Sequence, residues 1–568
     1  MTHHKLSRLL LVTTASFLVA NASAFAQTVP DAAQGTASPG RVDRNLPVEP
    51  YTPRVAPQVE VKESVLQKAP AGAEKITFVL SGVQVDGMTL YTPAQIESLY
   101  ADKLGAKISL ADVYGIASAL TNHYRNNGYI LTQVIVPPQT IDGGIVHLKA
   151  VEGYIDTITV EGEKKDIPRD FIMGYASHVK DKGPLNVKEL ERALLLINDL
   201  PGISARSIIS PSKTKTGAAD LTILTERKVY DALISANNYG SRYLGPYQLS
   251  MAGSLNSALG LSERITGQVV VTPGSELTYV AAGYDQPIYS YGTALHFNIN
   301  HSNTDPGFDL GQFDVTGHSD YMSVKVDHPL IRARQQNLTV YGLFDWRDVI
   351  SKNIVDRRED SIRALRAGLN YEYLDTFLGA GANVINIELA KGLSIFGASD
   401  KGDANLSRAL GDPEFTKLNV DMQRLQRVTS QVNLLVAAKG QLSSTPLLSA
   451  EEFGVGGMDI GRAFDSSEII GDQGISGKLE VQWNTPQPIR FLETYQLFGF
   501  FDAGHVWNDD AAVVTQEQET ATSTGFGVRA TFPSQVKADF AVALPLDRDV
   551  QTQRDQDPRF YFNLSKAF

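Results

Sequence analysis

Lys478-Leu479-Glu480-Val481-Gln482-Trp483-Asn484 alternates polar and apolar side chains at every step. Successive side chains of a strand point to opposite faces, so this stretch reads as a strand with one apolar and one polar face. Outward from it, the same period of two recurs. Tyr247, Leu249, Met251 and Leu255 alternate with Gln248, Ser250, Ser254 and Asn256, and Leu338, Val340, Phe344 and Trp346 alternate with Thr339, Tyr341 and Asp345. About sixteen such segments follow Arg227, roughly 21 residues for each strand and its connection, an even number as single-chain bacterial barrels have. A soluble sandwich also alternates, but its apolar faces must share one core. About 340 residues of alternating strands instead fit a closed transmembrane barrel, apolar towards lipid and polar towards the lumen. The last strand supports this, with Phe560, Phe562, Leu564 and the terminal Phe568 on one face.

Composition permits the barrel without demanding it. The chain has 568 residues, 43% hydrophobic and 20% charged, and its mean hydropathy is −0.13. Past the extreme N-terminus no run of eighteen or more apolar residues exists, so membrane-spanning helices are excluded while a barrel is not. The 23 Phe, 22 Tyr and 47 Gly fit strands and tight turns. With no cysteine, the sequence excludes disulfides, thiolate metal sites and cysteine nucleophiles.

Lys5 and Arg8 precede the apolar run Leu9 to Val19, and Ala24-Phe25-Ala26 offers small residues where a signal peptidase reads. Residues 1–26 therefore read as an export signal cleaved before Gln27. Loss of its two bases takes the net charge from −12 to −14, a balance that disfavours nucleic acid. Thr28 to Pro70 is rich in Pro, Ala and Gly without an apolar period, and reads as an extended tether.

From Ile76 an approximate repeat begins. Val85-Asp86-Gly87 is echoed 75 residues on by Val160-Glu161-Gly162. Helical stripes follow in both copies: Val113, Ile116, Ala117, Leu120 and Tyr124 behind a Ser109/Asp112 cap, then Leu190, Ala193, Leu194 and Ile197 behind Asn186 and Glu189. Gly128 and Gly202 then lead into strands Tyr129 to Pro137 and Ile203 to Pro211. The order strand, helix, helix, strand, strand describes two small α+β domains whose apolar stripes are ordinary core. An exposed sheet edge in such a domain suits the addition of an extended peptide.

Catalytic patterns are missing: no G-x-S-x-G, no H-E-x-x-H, and Gly477-Lys478 fails as a phosphate loop because Asp472 and Leu479 stand where Gly and Ser or Thr belong. The histidines are scattered, and one such as His505 reads as a surface or girdle residue, so neither a metal nor a cofactor is expected. One loop stands apart. Gly454, Gly456, Gly457, Gly461, Gly471 and Gly474 surround Arg462-Ala463-Phe464, a density that allows close backbone packing. Its arginine seeks an anion, and Asp502 in Phe500-Phe501-Asp502-Ala503-Gly504 is the candidate. If Leu497 and Phe501 face lipid, then Phe500, Asp502 and Gly504 face the lumen. From the residues alone, a pairing of Arg462 with Asp502 and an unrelated loop charge beside one more luminal carboxylate stand equal.

From about Ile76 to Phe568 the chain resembles the outer-membrane transporters of two-partner secretion, the TpsB family (ShlB/FhaC/HecB-like) in the POTRA-plus-barrel superfamily. The marks are Asn198-Asp199-Leu200-Pro201-Gly202, Gly461-Arg462-Ala463-Phe464, and Phe500, Asp502 and Gly504. In that family a V-R-G-F or V-R-G-Y loop enters the lumen, and its arginine pairs with the aspartate of an F-x-D-x-G strand. Gly461 and Ala463 depart from the pattern, which leaves the pair but alters the backbone path of the tip. Relatives can also carry a plug helix ahead of the first POTRA domain; the prolines of the tether allow only a short one or none.

The resemblance implies a linker at 27–73, POTRA domains at 74–152 and 153–228, and a 16-stranded barrel at 229–568 with an inward loop at 449–476. It implies an outer-membrane secretion pore, not an enzyme, with periplasmic POTRA domains that receive an unfolded exoprotein, TpsA-like and β-helical. No ATP is involved. The expected partners are that exoprotein, outer-membrane lipid and the barrel assembly machinery, which would read Phe568. The rival readings are an assembly or insertion factor of the same superfamily, with more POTRA domains as a rule, a diffusion porin, and an outer-membrane enzyme.

Overall fold

A computed structural model describes residues 35–46, 59–61, 67–162, 167–180, 183–485, 491–509 and 517–568. The expected export signal lies outside the described residues, as does much of the tether.

Two α+β domains come first. In the first, strands Gly82–Asp86, Ile145–Val151 and Gln133–Ile135 form a sheet in that order, and the helix Leu110–Asn126 packs on it. Ser109 caps that helix: its hydroxyl accepts from the Asp112 amide while the Asp112 carboxylate accepts from the Ser109 amide. Val113, Ile116, Ala117, Leu120 and Tyr124 are all buried, joined by Val146 and Leu148 from the sheet. In the second domain, helices Arg169–Lys180 and Val187–Asn198 cover strands Ile203–Pro211, Ala218–Arg227 and Tyr154–Gly162. Leu190, Ala193, Leu194 and Ile197 join Ile172, Tyr175 and Leu221 in its core. The Asn186 side chain caps the second helix by accepting from the Lys188 amide.

The tether is not uniformly a tether. Val59–Val61 adds a parallel strand to the edge strand Ile203–Pro211 of the second domain. Pro39–Arg41 and Val42–Asn45 form a short helical plug inside the barrel. Arg41 and Val42 are almost fully buried there, so this part of the expected extended segment is a core element. Its two turns are too short for a sequence period to reveal, and what buries them is the far-off barrel wall.

Sixteen antiparallel strands, from Tyr230–Asn237 to Arg559–Ala567, close a barrel in which each strand pairs with its sequence neighbours. The period of two sets the faces. Ile475, Leu479 and Val481 stand exposed on the outside of strand Gln473–Asn484, while Ser476, Glu480 and Gln482 are buried inside. Phe560, Leu564 and Phe568 likewise face outwards. The second domain braces the near rim: Arg332 makes a two-pronged ion pair with Asp199, Arg192 donates to the Pro329 carbonyl, and Arg227 donates to Asn256 and Ser257 carbonyls. The long connections lie at the opposite rim. The longest, residues 444–472, turns back into the lumen, and its hairpin pairs Phe453–Val455 with Ile469–Gly471. Strand Gln473–Asn484 already begins at Gln473, so the inward loop is shorter at its C-terminal side than the expected 449–476.

Candidate luminal lock

Arg462 lies at the tip of the inward loop, with its side chain 5% exposed against the wall. Asp502 faces it from strand Thr494–Trp507, whose Leu497 and Phe501 are exposed outside, which puts Phe500, Asp502 and Gly504 in the lumen. Arg462 donates through Nη2 to Asp502 Oδ1 at 2.8 Å and through Nε to Oδ2 at 2.9 Å, a fork that fits a carboxylate on two sides. The amides of Gly461 and Arg462 also donate to Oδ2, at 3.2 and 3.1 Å. The carboxylate is therefore held mainly by one residue and the turn that carries it, with the Ser523 hydroxyl of the next strand donating to Oδ2 at 3.5 Å.

Glycine is needed at position 461 for a second reason. Its φ is +93°, a left-handed value that a β-branched valine resists, and an added Cβ would sit 3.0 Å from the Gly456 amide nitrogen. The flexible position thus stands one residue before the arginine here, and Ala463 after it is fully buried. Phe464 is buried with Val455, Ile469 and Val506 in an apolar cluster behind the tip. Gly504 gives the loop room: a Cβ there would lie 2.5 Å from Val455.

Three further residues complete the site, and the sequence reading missed their role. Glu480 accepts from Arg462 Nη1 and from Arg529 Nη1, the latter at 2.7 Å, so two guanidinium groups share one buried carboxylate. Each cation lies over a ring, Arg462 at 3.6 Å from Phe500 and Arg529 at 3.9 Å from Phe498. Alternation already put Glu480 on the luminal face, but which carboxylate meets which cation depends on register. Glu480 lies directly opposite Phe500, and Gln496 opposite Arg529.

The same loop is pinned elsewhere. Asp459 pairs with Lys439 at 2.5 Å and Lys478 at 2.6 Å, and Asp465 with Arg559 at 2.7 Å. At its root Glu451 receives Arg366, Lys417 and Arg44, the last from the plug. Arg41 donates to the Ser449 and Glu452 carbonyls, while Asp43 holds Arg347 of the wall at 2.7 Å. Plug, loop and wall form one charged, hydrogen-bonded filling. Phe568 is remote from it, at the near rim, where its amide donates to the Ala232 carbonyl.

The chain matches the family described as haemolysin secretion/activation protein ShlB/FhaC/HecB over residues 218–530, and the ShlB-type POTRA domain over 78–153. It is 21% identical to the heme/hemopexin transporter protein HuxB of Haemophilus influenzae (strain 86-028NP), covering 94% of this chain and 96% of HuxB. It is 25% identical to the outer membrane transporter CdiB of Escherichia coli, over 84% of this chain and 80% of CdiB. Among solved structures, CdiB from Escherichia coli superposes with a TM-score of 0.71 at 22% identity, covering 89% of this chain and 93% of that one. BamA from Haemophilus ducreyi lacking POTRA domains 1–3 shares the fold at a TM-score of 0.51 and 14% identity, over 86% of this chain and all of that one.

Proposed function

We propose how this chain transports protein from the premise that it belongs to the haemolysin secretion/activation ShlB/FhaC/HecB family. It is an outer-membrane transporter of two-partner secretion, a secretion channel whose POTRA domains face the periplasm and whose barrel passes a partner exoprotein to the cell surface. The unfolded partner docks by strand addition at a POTRA sheet edge, where main-chain hydrogen bonds tolerate varied sequence. It then travels through the lumen as an extended chain. No nucleotide drives it. Folding outside, by several kcal/mol for a typical domain, prevents return on the order of stability that domains possess.

Passage requires the plug Pro39–Asn45 and the inward loop to give up the lumen. Arg462, Gly461 and Phe464 on the loop, with Phe500, Asp502 and Gly504 on the wall, are the lock that sets the resting position. What supports this reading is the Arg462 fork on Asp502 in the lumen, backed by Glu480. A filling built from ion pairs suits a plug that must leave, because water or a polar passenger can satisfy the same groups. The exoprotein is of the large β-helical kind, and the barrel itself reaches the membrane through assembly machinery that reads Phe568.

The test compares secretion of a candidate exoprotein in cells with and without this gene, while insertion of other barrels is followed in parallel. Loss of that one exoprotein with other barrels normal supports the transporter. A general barrel defect would instead indicate an assembly factor, and normal export of the exoprotein with intact barrels a diffusion pore.

A further inference from the structure

The barrel closes unevenly. Its first and last strands share five residue pairs, from Leu233 opposite Ala567 to Asn237 opposite Asn563, whereas each other neighbouring pair of wall strands shares at least eight. Arg559 to Phe562, the far-rim end of the last strand, lie beyond that ladder. On the seam side Asn238 alone among the described residues continues the bonding: its amide donates to the Phe562 carbonyl at 3.3 Å, and its side chain donates to the Phe560 carbonyl and accepts from the Phe562 amide.

The inward loop supplies what the ladder lacks. Arg559, facing the lumen, donates through Nη2 to Asp465 Oδ1 at 2.7 Å and through Nη1 to the Ala463 carbonyl at 3.3 Å. The other oxygen of Asp465 accepts from Thr552 Oγ1 at 2.6 Å, in the connection just before the last strand, and Glu468 accepts from the Gln551 amide at 2.9 Å. Tyr561 packs into the cluster made by Ala463, Phe464 and Val455, and its ring lies 6.0 Å from that of Tyr239 across the seam. Asp465 is three residues from Arg462, on the same turn of chain. The loop cannot leave Asp502 and stay on Arg559.

We propose that Asp465 is a second lock, a positioning residue that clamps the last strand so that closure of the seam depends on the loop lying in the lumen. The inference rests on the transport reading above. Withdrawal of the loop removes the Arg559 and Thr552 bonds to Asp465 and the packing of Tyr561 against Ala463 and Phe464, so the far-rim end of the strand keeps only the hydrogen bonds of Asn238 to hold it across the seam among the described residues. The passenger that displaces the loop thereby gains a wall able to widen at its least-bonded joint. One movement clears the lumen and relaxes the barrel around it.

The experiment is hydrogen exchange on the full-length chain in detergent micelles, comparing amides Phe560 to Asn563 with those of strand Gln473–Asn484. Asp465→Asn and Arg559→Gln are expected to speed exchange at the strand end by at least about tenfold, as loss of a charged hydrogen bond does, and to leave the control strand unchanged. Arg462→Ala is expected to speed it too, together with the loop, while Asp465→Glu keeps most of the protection. Unchanged exchange in both Asp465→Asn and Arg559→Gln overturns the clamp, and so does an Asp465→Glu chain as unprotected as Asp465→Asn. Exchange is read without a passenger. A wild-type chain that secretes nothing would therefore sink the transport reading and leave the clamp standing.

Discussion

Leu194 in the second POTRA domain and Arg462 in the lumen are both withdrawn from water, at 0% and 4% exposure, and opposite chemistry holds them. Around Leu194 lie Ile172, Tyr175, Leu190 and Leu221, a packing whose driving force has no preferred direction and grows with the apolar area removed from water. Around Arg462 lie Asp502, Glu480 and a phenylalanine face, contacts that work only at one geometry. Apolar cores are the economical way to make a domain stay folded. Buried ion pairs add little net stability, yet losing one partner is expensive, so they fix a position without making it permanent.

The widest departure from this contrast comes from Arg462→Ala, which orphans part of Asp502 and Glu480 and costs about 3 to 5 kcal/mol of loop placement. Limited proteolysis within 444–472 should become rapid and secretion fall, with the barrel still folded and inserted. If protection and secretion are both unchanged, the loop is held by packing and the contrast fails. Leu194→Ala should cost about 2 to 5 kcal/mol and act only on its domain. The long helices Leu110–Asn126, Arg169–Lys180 and Val187–Asn198 all lie in the POTRA domains, so helical circular dichroism during urea unfolding isolates that loss. Loop proteolysis should not change.

A smaller effect sharpens the comparison from the luminal side. Gly504→Ala pushes a methyl against Val455 and should cost about 1 to 3 kcal/mol, as overpacking does, read as faster exchange in the hairpin at Phe453–Val455. The smallest is Ser109→Ala, about 1 kcal/mol for a lost helix cap, read as an earlier helical transition. Acid should mimic it. Hydrogen bonds from the Ser109 amide and hydroxyl hold the Asp112 carboxyl below its usual range. Its contribution is thus complete above the unfolded carboxyl value, about pH 4, and fades as pH falls through the lower folded value.

Period and capping made the architecture legible. Glu480 and its alternating neighbours announced a strand, Ser109 and Asp112 a helix start, and Phe568 the outer face of a final strand. Arg462 and Asp502 were visible as candidates because a glycine-rich loop and a luminal carboxylate are each unusual in context. What stayed hidden depends on register or distance. Arg529 reaches Glu480 only because three strands pair as they do, and Arg559 meets Asp465 across 94 residues. Pro39–Asn45 gave no signal because its burial is conferred by residues such as Arg347, more than 300 positions away.

That plug also has an electrical meaning. Its described residues carry Arg41, Asp43 and Arg44, a net charge of +1 held inside a pore. Voltage acts on such a charge directly, with about 2.3 kcal/mol per 100 mV available if it crosses the whole field. In a planar bilayer that charge is expected to make the channel's conductance depend on polarity, because a positive potential on the cell-surface side pushes it towards the periplasmic side; recordings of the full chain at both polarities check this.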